Sequence, residues 1–237
     1  MTATMLMLGN SYTGGNLLGR MIEQLAAAAG ESLFSHSIAP GGVTFEFHCT
    51  HPATLSALVE RPWDIVTLQD QSLRPIDEPD KTVAFGLNLV KLIEQAVGRK
   101  PRLVLYLSWP RKQHPEKLPA LEATYRRLAD TVGATIAPCG PAWKLARAAL
   151  PHLEFYQEDL HHPEPVATYL NACVFFATIY GRSPVGLPSA LHYRWGNFWN
   201  YEAMRPLQTL NLSESDTRAL QQFAWDAVQA EKARVAG

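Results

Sequence analysis

Short, mostly apolar segments that alternate with longer stretches of helical periodicity are the feature that most constrains the fold of this chain. We predict strands at residues 4–8, 33–38, 63–68, 103–107 and 134–137, none of which shows the strict two-residue alternation of a half-exposed strand. Between and after them, apolar residues recur three and four positions apart, as in the segment from Leu17 to Ala29. This order is typical of a parallel sheet that is covered by helices on both faces.

The pattern therefore predicts a three-layer α/β/α sandwich with a central parallel, flavodoxin-like sheet of about five strands. A length of 237 residues suits a single domain over residues 1–237 with a full hydrophobic core. Residues 186–237 differ from the rest, since an aromatic-rich loop precedes a last amphipathic helix that Ser213 and Asp216 would cap. The aromatic residues of this extension pack on the domain or, in the alternative, form a lid or an oligomer contact; they are Tyr193, Trp195, Phe198, Trp199 and Tyr201.

Composition argues against several classes of partner. The formal net charge of −1 gives no reason to expect binding to nucleic acid or to an anionic membrane. No apolar run approaches the roughly 20 residues of a membrane span, and the N-terminus lacks the features of a signal peptide. We therefore expect a cytoplasmic protein, or a secreted or periplasmic one whose signal peptide has been removed.

Cys49, Cys139 and Cys173 are far apart and odd in number, which favours free, buried thiols.

Polar and glycine residues follow the predicted strands, at the sheet edge where open parallel sheets bind ligands. Gly9-Asn10-Ser11 follows the first strand, and its serine falls at a strand-to-helix turn. Alone, Ser11 could be an ordinary turn residue. The other segments at this edge are Gly41-Gly42, Gln69-Asp70-Gln71-Ser72, Ser108-Trp109 and, from a late loop, Asp159-Leu160-His161-His162-Pro163.

In these segments the sequence resembles the SGNH (GDSL-type) hydrolase superfamily, and within it a bacterial branch with Gly-Asn-Ser and Leu-Gln-x-Gln-Ser motifs. The resemblance rests on Leu8-Gly9-Asn10-Ser11, Pro40-Gly41-Gly42, Trp63-Asp64-Ile65-Val66, Leu68-Gln69-Asp70-Gln71-Ser72 and Asp159-x-x-His162-Pro163, in that order. It implies that Ser11 is a nucleophile, that His162 removes its proton and that Asp159 orients His162. His161 competes with His162 for the base, but the Asp-x-x-His-Pro spacing places His162 in register.

The resemblance also implies three donors to an oxyanion. The backbone N–H of Ser11 and that of Gly41 or Gly42 would be two of them. The superfamily's third donor is an asparagine in a Gly-x-Asn motif, and here Gln71, or alternatively Gln69, would replace it. Asn10, Trp109 and His161 are further candidates for the substrate pocket.

The resemblance therefore implies an esterase that cleaves short acyl or acetyl esters, including those on carbohydrates, through an acyl-enzyme. We expect no cofactor and no metal, because His48, Cys49 and His51 lack the spacing of a closed zinc site even when His161 and His162 are added. Two alternatives stay open, a non-catalytic relative that binds carbohydrate or another ligand, and an acyltransferase that uses the same triad.

Overall fold

A five-stranded parallel sheet forms the centre of the molecule. The computed structural model describes residues 1–194 and 206–236. The strands are β1 (Ala3–Leu8), β2 (Leu33–Ile38), β3 (Ile65–Leu68), β4 (Arg102–Tyr106) and β5 (Thr135–Ala137). They pair in the order β2-β1-β3-β4-β5, and every pairing between neighbours is parallel. The predicted flavodoxin-like sheet is confirmed, with strand ends within two residues of those expected.

Both faces of the sheet are buried, which explains why the strands do not alternate between apolar and polar residues. In β1, Met5 and Met7 belong to one hydrophobic cluster, whereas Leu6 and Leu8 belong to the other. All four side chains are fully buried. Successive side chains of a strand point to opposite faces, so one strand contributes to two separate cores.

Helices cover the sheet on both sides and complete the predicted three-layer arrangement. One side carries α2 (Leu18–Ala28), α8 (Cys139–Ala149), α9 (Pro165–Tyr180) and α10 (Glu214–Ala236), and the other carries α4 (Pro52–Glu60), α6 (Pro79–Val97) and α7 (Leu118–Val132). Three single-turn helices absent from the sequence prediction complete the set, namely α1 (Ser11–Gly14), α3 (Phe45–His48) and α5 (Arg74–Asp77). These short helices follow the carboxyl ends of β1, β2 and β3 in the chain.

Helix α9 is buried on all sides, because α2, α8 and α10 pack on it in addition to the sheet. Every residue from Pro165 to Ile179 is buried. Arg102, at the start of β4, donates hydrogen bonds of 2.6 Å to the carbonyl oxygens of Thr178 and Ile179. Since the last carbonyl groups of a helix have no partner within the helix, Arg102 caps α9 at the edge of the sheet opposite the strand carboxyl ends.

The C-terminal segment returns to the helix layer of α9. Two short strands, β6 (His192–Tyr193) and β7 (Gln208–Thr209), pair antiparallel, and the neighbouring Leu191 and Leu210 are buried. Ser213 accepts a hydrogen bond from the Asp216 N–H (3.0 Å), which forms the N-terminal cap expected for α10. The predicted aromatic residues Trp195, Phe198, Trp199 and Tyr201 lie outside the described residues.

Two composition-based expectations can be compared with the described part of the chain. Cys139 and Cys173 are buried and Cys49 is half-buried, and all three are free thiols. Within residues 1–194 and 206–236, no helix combines the length and the apolar character needed to cross a membrane.

Candidate active site

The turn after β1 holds Ser11 at the start of α1. Asn10 caps this helix, since its Oδ1 accepts a hydrogen bond of 3.1 Å from the Tyr12 N–H. Gly9 has no room for a side chain, because a Cβ there would lie 2.1 Å from Oγ1 of Thr13 and 2.9 Å from Oε1 of Gln69. The glycine therefore allows the chain to turn directly over two polar side chains.

Gln69 lies beneath this turn and does not face the pocket, so it is not an oxyanion donor in this geometry. Its Oε1 accepts hydrogen bonds from the Asn10 N–H (3.1 Å) and from the Thr13 hydroxyl (3.0 Å), while its Nε2 donates to the Asp70 carbonyl oxygen. The side chain is 1% exposed. The alternative assignment of the third donor to Gln69 is thus corrected: this amide supports the turn that carries Ser11.

His48 is a second support of the turn, and the sequence analysis did not find it. Its Nε2 donates to the Gly9 carbonyl oxygen (2.9 Å), which fixes the tautomer, and Nδ1 then accepts from the Thr54 hydroxyl (2.8 Å). Burial is the main cause that lowers the pKa of His48 to about 4. The imidazole is therefore neutral around pH 7. A single histidine on a four-residue helix carries no sequence signal for such a role.

Asp70 joins the loops that follow β2 and β3. Its carboxylate accepts hydrogen bonds from the Phe45 N–H (2.9 Å), the Gln71 N–H (2.8 Å) and the Thr82 hydroxyl (2.8 Å). Burial raises the pKa of Asp70, and these hydrogen bonds oppose that effect. The Gln69-Asp70-Gln71 segment thus turns two of its three side chains into the interior.

Ser11, His162 and Asp159 form a continuous chain of hydrogen bonds. The distance from Ser11 Oγ to His162 Nε2 is 2.8 Å, and the distance from His162 Nδ1 to Asp159 Oδ2 is 2.5 Å. The folded chain thus brings together two segments that lie 151 residues apart in the sequence. Both ring nitrogens of His162 are used, and His161 makes no hydrogen bond to Ser11. This arrangement can move a proton from the serine hydroxyl to the imidazole.

Backbone hydrogen bonds hold the loop that carries His162. Asp159 Oδ1 accepts from the N–H groups of His161 (3.0 Å) and His162 (2.9 Å), and Leu160 between them has a positive φ of 63°. Asn16 donates to the Pro163 carbonyl oxygen (2.9 Å) and so ties the loop to the segment after α1. Although partial burial raises the pKa of Asp159, the hydrogen bonds from His162 and His161 lower it to about 2. Asp159 is therefore ionised opposite His162.

Gly41, Gly42 and Gln71 line the same pocket as Ser11 and His162. Gly42 has a positive φ of 68°, which favours glycine at this position. Gln71 Oε1 accepts hydrogen bonds from the N–H groups of Leu73 (2.7 Å) and Arg74 (2.9 Å). The backbone of the next turn therefore holds the amide oxygen, while the amide nitrogen donates no hydrogen bond to any described residue.

The three predicted pocket residues occupy different places. Asn10 and His161 line the pocket, which has a volume of about 190 Å³, but the Asn10 amide is already used in hydrogen bonds to the carbonyl oxygens of Val43 and Asp70. Trp109 is 1% exposed and does not line it. The Trp109 ring is stacked on Tyr12, with ring centroids 4.7 Å apart, and its Nε1 donates to the His161 carbonyl oxygen (3.0 Å). Trp109 thus supports the pocket from behind.

The same loop offers a set of atoms that could be considered for a metal. Ligand atoms of Asp159, His161 and His162 all lie within 4.8 Å of one another. However, both ring nitrogens of His162 are hydrogen-bonded, to Ser11 and to Asp159. A metal on His162 would have to break the connection to Ser11 or to Asp159, so the arrangement fits proton transfer better than metal binding.

Comparison with known proteins gives matches at the level of structure. No protein-family model matches the sequence, and no curated protein does. A DUF4886 family protein from Bacteroides uniformis has a TM-score of 0.78 at 18% identity, over 97% of this chain and 95% of its own. A protein assigned to the SGNH hydrolases from Slackia heliotrinireducens has a TM-score of 0.60 at 24% identity, over 76% of this chain and 100% of its own.

A third similar structure is that of a carbohydrate esterase family 3 protein from Talaromyces cellulolyticus. Its TM-score is 0.61 at 12% identity, over 76% of this chain and 97% of that protein. At these identities the likeness concerns the fold. The chain has the three-layer α/β/α fold of the SGNH hydrolases.

Proposed function

We propose that this protein is a serine esterase that hydrolyses carboxylic esters through an acyl-enzyme. The observation that carries the proposal is the hydrogen-bonded sequence from Asp159 through His162 to Ser11, with distances of 2.5 Å and 2.8 Å. The serine lies in a pocket that is also lined by Gly41, Gly42 and Gln71. Nucleophile, base and candidate oxyanion donors therefore meet at one place.

In the proposed reaction, Ser11 Oγ attacks the acyl carbonyl carbon while its proton passes to His162 Nε2. The oxyanion of the tetrahedral intermediate accepts hydrogen bonds from the backbone N–H of Ser11, from that of Gly41 or Gly42, and from the Gln71 amide. His162 then gives the proton to the leaving alcohol oxygen as the C–O bond breaks. Water repeats the attack on the acyl-enzyme with His162 as base, and this releases the acid and restores Ser11.

The size of the pocket favours small acyl groups. About 190 Å³ corresponds to roughly six water molecules at 30 Å³ each. A short acyl group such as acetyl fits entirely within this space, whereas a long acyl chain would extend beyond it. The similarity in fold to a carbohydrate esterase from Talaromyces cellulolyticus supports esters on carbohydrates as candidate substrates of this chain.

The exposure of the triad favours hydrolysis over acyl transfer. The side chains of His162 and Asp159 are 17% and 40% exposed, so water reaches the base without a change of conformation. An acyltransferase needs to keep water away from its acyl-enzyme while the acceptor binds.

The proposal is tested by turnover and by covalent labelling. Wild-type protein is expected to hydrolyse 4-nitrophenyl acetate and to be labelled on Ser11 by a fluorophosphonate probe. Ser11→Ala should lose both properties, with a fall in kcat of about 10³-fold or more. Ser72→Ala is the matched control, because Ser72 lines the same pocket but has no hydrogen bond to His162. Equal rates for wild type and Ser11→Ala would contradict the mechanism, and an unlabelled wild type would indicate a binding protein.

A further inference from the structure

Arg111 places a positive charge in the pocket of the candidate active site. It follows β4 and Trp109, and it lines the pocket together with Ser11, His161 and His162. Its Nε is buried and has no hydrogen-bond partner among the described residues. No Asp or Glu carboxylate of the described residues lies within 4.0 Å of the Arg111 guanidinium. Arg111 is thus an unpaired positive charge in the same pocket as the proposed nucleophile Ser11.

The carboxylates around this pocket do not neutralise the charge of Arg111. Asp159 is hydrogen-bonded to His162, and Asp70 accepts three hydrogen bonds in the interior. Asp77 lines the adjoining pocket on the other side of Arg111, but it is exposed and forms no ion pair with it among the described residues. The positive charge is therefore available to a molecule in the pocket.

The side chains beside Arg111 on this wall of the pocket add polar groups but no further charge. Arg111 lines the pocket together with the aromatic side chains of Tyr12 and His161. Burial, followed by the charge of His162, lowers the pKa of His161, so this imidazole is neutral and adds hydrogen-bonding capacity without charge. The buried His161 Nδ1 also has no partner among the described residues. A half-buried arginine beside a neutral imidazole forms a polar wall with one net positive charge.

We propose that Arg111 binds a carboxylate carried by the substrate, so that the preferred substrates are small esters with one negative charge. For turnover this inference rests on the proposed esterase function. A guanidinium pairs with a carboxylate through two parallel hydrogen bonds, and this pairing is strongest where water is partly excluded. The carboxylate belongs to the acyl part or to the alcohol part of the ester, and paired substrates distinguish the two.

The acyl arm compares ethyl hydrogen succinate with ethyl 4-oxopentanoate, a neutral ester of similar size. The alcohol arm compares acetoxyacetate with 2-acetoxyacetamide. Acid release is followed by pH-stat titration for wild type, Arg111→Met and Arg111→Lys. In one of the two arms, kcat/KM of wild type should favour the anionic ester by about 10-fold or more. Arg111→Met should remove this preference, and Arg111→Lys should retain part of it.

Lys117→Met is the matched control, because Lys117 lines the adjoining pocket and not that of Ser11. It removes one positive charge nearby and should change the anionic-to-neutral ratio by less than about 2-fold. The inference is overturned if wild type does not favour the anionic ester in either arm. It is also overturned if Arg111→Met lowers kcat/KM for both members of a pair by the same factor.

A binding experiment separates this inference from the esterase proposal. Ser11→Ala and the double variant Ser11→Ala/Arg111→Met are titrated calorimetrically with ethyl hydrogen succinate and with acetoxyacetate, which are not turned over. The double variant should bind one of these anions at least about 10-fold more weakly. Weaker binding without any esterase activity in wild type would refute only the enzymatic function. Equal binding by the two variants would refute the role of Arg111 even in an active esterase.

Discussion

The turn that carries Ser11 and the loop that carries His162 meet in one hydrogen bond, but they are held in different ways. The turn is buried, and the side chains of Gln69 and His48 bind its backbone from the interior. The loop is partly exposed, and it is shaped by local hydrogen bonds to Asp159 and by the Asn16 contact to Pro163. Ser11 is thus positioned by the core, and His162 by a surface loop.

Because of this difference, substitutions in the two regions should affect stability and activity to different extents. Buried hydrogen bonds that lose one partner leave the other unsatisfied, which costs about 1–3 kcal/mol of the free energy of unfolding. Exposed hydrogen bonds and ion pairs cost much less. Changes beneath Ser11 should therefore reduce stability together with activity, whereas changes around His162 should reduce activity in a protein that stays folded.

The largest effect is expected for Asp159→Asn. The amide oxygen can still accept from the N–H groups of His161 and His162, but the amide cannot hold the His162 tautomer that takes the serine proton. We expect kcat for 4-nitrophenyl acetate to fall about 10³- to 10⁴-fold, with a change of less than about 1 kcal/mol in the free energy of unfolding from urea titration.

The matched change in the turn is Thr13→Val, which removes the hydroxyl that donates to Gln69. It should lower the free energy of unfolding by about 1–3 kcal/mol. If Asp159→Asn destabilised the protein more than Thr13→Val, the contrast between the two regions would be wrong.

The next effect concerns Gln71→Glu. The carboxylate keeps an acceptor for the N–H groups of Leu73 and Arg74, so the start of α5 is preserved, but the proposed oxyanion donor is lost. We expect kcat to fall about 10²- to 10³-fold with unchanged thermal stability.

Gln71→Met serves as the uncharged comparison, because it lacks both the donor and the acceptor. It should show a similar fall in kcat and, in addition, a lower melting temperature. Normal kcat in Gln71→Met would rule out Gln71 as an oxyanion donor.

The last effect is a pH dependence of stability due to His48. Its folded-state pKa of about 4 lies below the unfolded value of 6.5, so the unfolded chain binds the proton first as the pH falls. The contribution is fully present above pH 6.5 and is lost as the pH falls towards 4. Integrated over this range it amounts to on the order of 3 kcal/mol.

Urea titrations between pH 7 and pH 4 measure this contribution. His48→Gln should be less stable than wild type at pH 7, and the gap should narrow as the pH falls. His114→Gln, at a histidine whose side chain is 58% exposed, should follow the wild-type curve. A gap of constant size would show that His48 does not titrate as its burial requires.

The arrangement of the strands could be predicted because their pattern reflects burial on both faces, a local property of the sequence. The convergence of Ser11 and His162 was implied by the resemblance to the SGNH hydrolases, because His162 lies in a late loop and does not follow a strand of the sheet. The roles of the two glutamines could not be assigned in the same way. Gln69 and Gln71 both follow β3, and the chain direction at Asp70 turns one inward and the other towards the pocket.

Two further residues show what the sequence pattern does not contain. Trp109 was expected in the pocket because it follows a strand, but its stacking on Trp143, at 3.8 Å between ring centroids, buries it. That partner lies in a different helix, and a single sequence does not pair them. Arg111 was missed because only the residues directly after each strand were considered, and the chain continues along the pocket beyond Trp109.

The cap that Arg102 places on α9 has a consequence for the base. Helix α9 begins at Pro165, two residues after the loop of His162 ends at Pro163, and its 16 residues span roughly 24 Å. The C-terminal end of this helix is anchored to β4 through Arg102, and its N-terminal end follows the loop that carries His162. The position of His162 relative to the sheet therefore depends on how α9 is anchored at its opposite end, because the partly exposed loop leads directly into this buried helix.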